Sequence, residues 1–183
     1  VSVNFSLVPQ VSLDELVRQC RASVKWVWRN AESFYADPKQ LFVAGHSSGA
    51  HVVGLLTITD WAGKWNIPTD VIKGAIAASG MYDLEPVRRS SRNDYLKLDD
   101  NAVTRNSAMR QISERMPPII ITYGAEEQRE FRRQSKSFAS ELRQLDHPCT
   151  EIDMPGLNHF DVGEQFADPN SALMQAAFKL IGV

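Results

Sequence analysis

Three kinds of side chain in this sequence could together carry out acyl transfer: a serine set between glycines, a histidine far downstream, and a carboxylate between them. The serine is Ser47, in the stretch LFVAGHSSGA from Leu41 to Ala50. An apolar run there leads into GHSSG, Gly45 to Gly49, and residues of helical period follow. A strand, a tight turn and a helix with serine at the tip form the setting of a nucleophile elbow. Glycines two positions either side of the serine are expected to leave room where a side chain would collide with backbone. The Ser47 hydroxyl then projects above the carboxyl end of the strand, and the Ser48 N–H at the helix start can donate to a developing oxyanion. The same letters could make an ordinary Gly/Ser turn, and it is the flanking strand and helix that favour the chemical reading.

A serine hydroxyl is a weak nucleophile at neutral pH and needs a histidine base, itself oriented by a carboxylate. Of four histidines, His46 and His51 flank the turn. Their five-residue spacing does not match the i, i+4 metal pair of a zincin helix, so they read as polar residues packed beside the elbow. His147, before Pro148, reads as a surface residue. His159, in PGLNHF from Pro155 to Phe160, follows the last expected strand, where parallel sheets place reactive groups, and it comes last in the order serine, acid, histidine. The acid should follow the strand IIITY, in GAEEQREF from Gly124 to Phe131. Glu127 is best placed, Glu126 is its neighbour, and Glu130 reads as the start of the next helix. Asp83, in SGMYDLEP, is a further candidate; Asp161 lies too near His159 in sequence to turn back onto it.

The elements that must position these groups are those of an α/β protein with a parallel sheet, because short β-branched runs alternate with stretches of helical period. Strands are expected at 1–5, 41–44, 73–78, 119–123 and 150–154, about five in all. Helices are expected from Leu13, behind a capping box of Ser12 and Glu15, then over 48–59, 130–145 and 170–180. The segment 81–118 lacks a period and reads as an irregular, cap-like insertion over one edge of a single domain.

Composition closes off other classes. The chain has 183 residues, 43% of them hydrophobic, which is enough for one sizeable core. A formal net charge of -2 gives no general attraction to nucleic acid or anionic membrane, and basic groups such as RRSSR, Arg88 to Arg92, read as solvated surface beside acidic neighbours. Cys20 and Cys149 form neither a disulfide framework nor a zinc set, which fits a reducing cytoplasm. No apolar run approaches the roughly 20 residues of a membrane helix. A homo-oligomer is compatible with these letters.

Taken together, GHSSGAH (Gly45 to His51), SGMYDLEP (Ser79 to Pro86), EFRRQS (Glu130 to Ser135) and GLNHF (Gly156 to Phe160) resemble the α/β-hydrolase fold, in its kynurenine formamidase (arylformamidase) branch with the related carboxylesterases. The resemblance runs from about Val3 to the final helix. It implies Ser47 as nucleophile, Glu127 as orienting acid and His159 as base, although the family often carries aspartate at the acid position. It also implies an H-G-G loop supplying further oxyanion donors, and no such sequence occurs here. By the same likeness, 1–5 is a fourth strand of eight, a third strand belongs between it and the strand at Leu41, and this chain is the carboxyl-terminal part of a larger enzyme. Loss of one oxyanion donor costs about 2.7–4 kcal/mol of transition-state stabilisation, so the piece alone should be nearly inactive.

The activity implied is that of a serine hydrolase acting through an acyl-enzyme, with no metal or organic cofactor. Its substrate is a small molecule, either an aryl formamide such as N-formylkynurenine or a small acyl or aryl ester. Met81 and Tyr82, together with Trp61 and Trp65, are candidates for apolar walls around an aryl group. A noncatalytic binding protein on a hydrolase scaffold is the reading from another class.

Overall fold

Four apolar runs become strands, and the segments between them are long enough to cross back, so they pair in parallel. In the computed structural model, which describes residues 1–183, β1 (Leu41–His46), β2 (Ile72–Ala78), β3 (Ile119–Gly124) and β4 (Cys149–Met154) lie in the order β1-β2-β3-β4. Gly45 stands opposite Ala77, Ala77 opposite Ile121, and Gly124 opposite Met154. These registers bring all four carboxyl ends to one side.

The helices are α1 (Leu13–Asn30), α2 (Ser48–Thr57), α3 (Trp61–Trp65), α4 (Glu85–Arg88), α5 (Asn93–Leu96), α6 (Asp100–Arg105), α7 (Arg129–Gln144), α8 (His159–Glu164) and α9 (Ala172–Ile181). Strand alternation sorts them into two layers. Ala75, Ala77, Ile119 and Ile121 pack with α1 (Leu16, Val17, Cys20), α2 (Ala50, Val53, Leu55) and α7 (Phe138, Ala139, Leu142). Ile76, Ala78 and Ile120 point the other way, onto Val162 of α8 and Leu173 and Ala177 of α9. A residue such as Ile121, 0% exposed, contributes roughly 1.5–3 kcal/mol through burial. Only half of the expected capping box forms at α1. Ser12 Oγ accepts from the Glu15 N–H at 3.2 Å, while the Glu15 carboxylate turns outward to Arg18 at 2.7 Å.

Two expectations are corrected. Val1–Phe5 is not a strand: it runs as irregular chain, and the adjoining Ser6 N–H donates to Gln19 Oε1 of α1 at 2.8 Å rather than to a sheet edge. The sheet therefore has four strands, not five. A cavity of about 520 Å³ lies between this segment, α1 and β1, with Val3, Phe5, Val24, Val43 and Val52 among its walls. His159, expected in a loop, is the first residue of α8, because Asn158 caps that helix from the Phe160 and Asp161 amides and Asp161 closes a capping box. The stretch 81–118 is folded as α4 to α6 and a short 3₁₀ turn, around a small core of Leu84, Val87, Leu98 and Val103.

Candidate active site

The ladder hydrogen bonds continue past the strand ends and fix the loops that follow. Ser47 N–H donates to Ala78 O (2.8 Å), Ser79 N–H to Thr122 O (2.8 Å) and Ala125 N–H to Met154 O (2.9 Å). Each loop is thereby registered against the next strand over. Ser47 has φ 56° and ψ −116°, a conformation L-residues rarely adopt and that costs about 1–3 kcal/mol. The turn is tight at Gly45, where a Cβ would run into the Gly49 carbonyl, 2.5 Å from its oxygen. Gly49 is different: a Cβ there meets nothing, so the collision expected on both sides occurs on one.

The serine and histidine, 112 residues apart, meet at the tip: His159 Nε2 lies 2.9 Å from Ser47 Oγ. On the far side of the imidazole, Nδ1 faces Glu127 Oε2 at 3.5 Å. That is longer than an ordinary N–H···O bond, yet both atoms are buried and neither has another partner. An unpaired buried polar atom costs about 1–3 kcal/mol, so each atom's sole available neighbour is its natural partner. The other carboxylate oxygen of Glu127, Oε1, accepts the Ser79 hydroxyl and the Gly124 N–H (3.2 Å). With Nδ1 protonated toward the carboxylate, Nε2 is the acceptor for the Ser47 hydroxyl.

The competing carboxylates stand elsewhere. Glu126 points to solvent, Glu130 pairs with Arg133 at 2.6 Å, Asp83 with Arg110 at 2.9 Å, and Asp161 accepts from the Asn158 N–H. The loops bearing acid and base also touch directly. Glu126 N–H donates to Leu157 O (3.0 Å), an approach so close that a Cβ at Gly124 would strike the same Leu157 carbonyl.

A model of the alpha/beta hydrolase fold matches residues 1–161. The chain belongs to that family. It is 31% identical to the kynurenine formamidase of Danio rerio over its whole length, covering 62% of that protein, and equally so to the kynurenine formamidase of Salmo salar, again 62% covered. A Pyrobaculum calidifontis esterase structure superposes with a TM-score of 0.79 at 16% identity, over 99% of this chain and 65% of that one. At that identity the likeness speaks to the fold. The chain thus spans about three-fifths of the curated relatives it matches.

A cavity of about 350 Å³ opens at Ser47 and Ser48. Met81 lines it, along with Leu84, Val87, Tyr95 and Phe131. Tyr82 does not. It is fully buried in the main core, stacked on Phe138 with centroids 4.4 Å apart, so the expectation that it borders substrate is corrected. Trp61 and Trp65 belong to the core beneath α2 and likewise line no part of it. Ser48 is exposed at the first position of α2, where helical amides have no intrahelical acceptor, so its N–H can serve an oxyanion.

Three side chains beyond the expected set belong to this arrangement. Ser79 repeats the strained backbone of Ser47, with φ 56°, directly after β2, and its hydroxyl meets the buried acid. The Ser-Gly pair closing an apolar run was its signal in the sequence. His46 donates Nε2–H to the His159 carbonyl at 2.8 Å, and burial holds its pKa below the ordinary histidine value, which disfavours a second cation beside the base. The His159 ring has His46 at 4.7 Å and Phe131 at 4.4 Å between centroids. His51 is buried, with Nε2 at 2.8 Å from Asn106 O, consistent with packing beside the turn.

No helix is long and apolar enough to cross a membrane.

Proposed function

We propose that this chain carries the catalytic serine, base and acid of a hydrolase that removes a formyl group from an aryl amine through an acyl-enzyme. The observation that carries the reading is the 2.9 Å contact between His159 Nε2 and Ser47 Oγ on a strained turn. In the first half-reaction the Ser47 oxygen attacks the formyl carbonyl while its proton passes to His159 Nε2. Negative charge develops on the carbonyl oxygen within reach of the Ser48 N–H, and Glu127 stabilises the imidazolium through Nδ1. Collapse breaks the C–N bond, and the proton on Nε2 passes to the departing amine. Water then repeats the sequence, with His159 taking its proton and returning it to Ser47, and formate leaves.

Similarity to the fish kynurenine formamidases favours the formamide, and the apolar cavity with Tyr95 and Phe131 suits an aryl group. A carboxylesterase acting on small aryl esters is the second reading, because Ser47, His159 and Glu127 serve an ester carbonyl as they serve a formamide. Parallel turnover of N-formylkynurenine and short p-nitrophenyl esters separates the two. A fluorophosphonate probe should label Ser47 stoichiometrically and fail on Ser47→Ala. Absence of labelling in the intact protein would leave a binding protein on a hydrolase scaffold.

A further inference from the structure

The cavity at Ser47 is apolar along most of its wall, and its polar lining is limited to Ser47, Ser48, His51 and Arg92. His51 is buried with its Nε2 committed to the Asn106 carbonyl, and burial pushes its pKa below the ordinary histidine value, which favours the neutral ring. Arg92 is therefore the one cationic side chain on this wall, and no carboxylate lines it. Of the other arginines in the insertion, Arg88 is committed to Glu85 and Asp100, Arg89 to Glu85, Arg105 to Asp14 and Arg110 to Asp83, while Arg115 is unpaired but lies off this wall. Arg92 makes no ion pair and donates no side-chain hydrogen bond. It sits at the N-terminal end of α5, whose Tyr95 and Leu96 line the same cavity.

We propose that Arg92 is a specificity-determining residue that reads a carboxylate on the substrate's side chain. An aryl ring occupies the apolar wall near Phe131 and Tyr95, and an anionic arm reaches out to the guanidinium at the rim. A planar guanidinium without an internal partner is suited to a carboxylate, which it can hold by two parallel N–H···O bonds. This inference rests on the proposed formamidase reading for its reaction, while the recognition itself can be measured without turnover.

The test is a pair of ligands, 4-oxo-4-phenylbutanoate and its carboxamide, titrated calorimetrically into the whole chain. The expected result is about tenfold tighter binding of the carboxylate, a ratio that falls to about two or less in Arg92→Ala and survives in Arg89→Ala, whose arginine lies off the cavity wall. Arg92→Lys should keep part of the preference, because charge persists without the fork. Equal affinity of the two ligands for the unaltered chain, or a ratio unchanged in Arg92→Ala, overturns the proposal whatever the reaction. Turnover of N-formylkynurenine bears on the reaction alone and is assayed on the intact protein: selective binding without turnover there removes the formamidase reading and leaves the carboxylate site standing.

Discussion

The orienting acid gives the sharpest test, through Glu127→Gln. The substitution preserves shape but replaces one carboxylate oxygen with an NH₂ group, and the surroundings decide which. Oε1 accepts from the Gly124 main-chain N–H, a fixed donor, as well as from the Ser79 hydroxyl. An amide nitrogen there would set donor against donor, so the oxygen stays and the nitrogen takes the Oε2 side, facing His159 Nδ1. Nδ1 must then accept, and the proton moves to Nε2, where it points at Ser47 Oγ. The base is thereby blocked by its own tautomer. In chymotrypsin-like enzymes the equivalent carboxylate-to-amide change lowers kcat about 10⁴-fold. The 3.5 Å separation is looser than a tight hydrogen bond, so the expected loss here is about 10³- to 10⁴-fold, or about 4–5.4 kcal/mol at 1.36 kcal/mol per decade. The assay is the rate of fluorophosphonate labelling of Ser47 together with ester turnover, with circular dichroism melting to show that the fold persists. Glu126→Gln and Asp83→Asn should keep activity within about threefold, because Glu126 faces solvent and Asp83 is held by Arg110. Retention of more than about a tenth of activity in a folded Glu127→Gln chain would refute the tautomer argument.

Ser79→Ala removes a hydroxyl donor from a buried carboxylate; kcat should fall about tenfold with KM little changed, and the pH profile of kcat should shift, which a simple packing defect would not produce. Gly45→Ala sets a methyl against the Gly49 carbonyl and should cost about 3 kcal/mol in urea denaturation, whereas Gly49→Ala, with open space around it, should cost under about 1 kcal/mol. Burial lowers the pKa values of His46 and His51 in the folded chain from the ordinary 6.5, so the unfolded chain binds protons first, and stability should fall as pH drops below about 6.5. His51→Gln keeps a donor for Asn106 O and removes the titration, so the acid-side slope should be shallower, as read from Tm between about pH 7 and 5.

Structure is legible in these letters where local pattern and chain order agree, and it is hidden where a distant group redirects the chain. Four strands are legible because each apolar run is bounded by a turn signal and followed by a helical period. The segment 1–5 has the same kind of letters, but a strand exists only with an edge to pair against, and its neighbour Ser6 is tied to Gln19 instead. The choice of Glu127 over Glu126 depends on a turn in which the Glu127 N–H returns to Gly124 O, turning one glutamate inward and the next one out. Tyr82 departs from its expected place for a reason of the same kind. Gln134, more than fifty residues away on α7, accepts from both the Tyr82 and Asp83 amides at 2.6 and 2.7 Å, and so turns the ring into the core. Nothing near Tyr82 in sequence encodes that glutamine.

The elbow, the acid and the base follow three different strands, the last at the start of α8, yet their relative placement depends little on the connections themselves. Ser47, Ser79 and Ala125 each donate a main-chain hydrogen bond to the end of the adjacent strand, so the site is set by the same registers that pair Gly45 with Ala77 and Gly124 with Met154. Two residues there, Ser47 and Ser79, hold positive φ, at a combined cost of about 2–6 kcal/mol. Strain of that size persists only where the surroundings over-determine the backbone, which is what a hydrogen bond from each strained residue to the neighbouring strand provides. It follows that mutations deep in the sheet should disturb the Ser47–His159 contact before they unfold the chain: a change that slips the β2–β3 register carries Ser79 and the elbow, both tied to β2, away from Glu127 and His159, which follow β3 and β4.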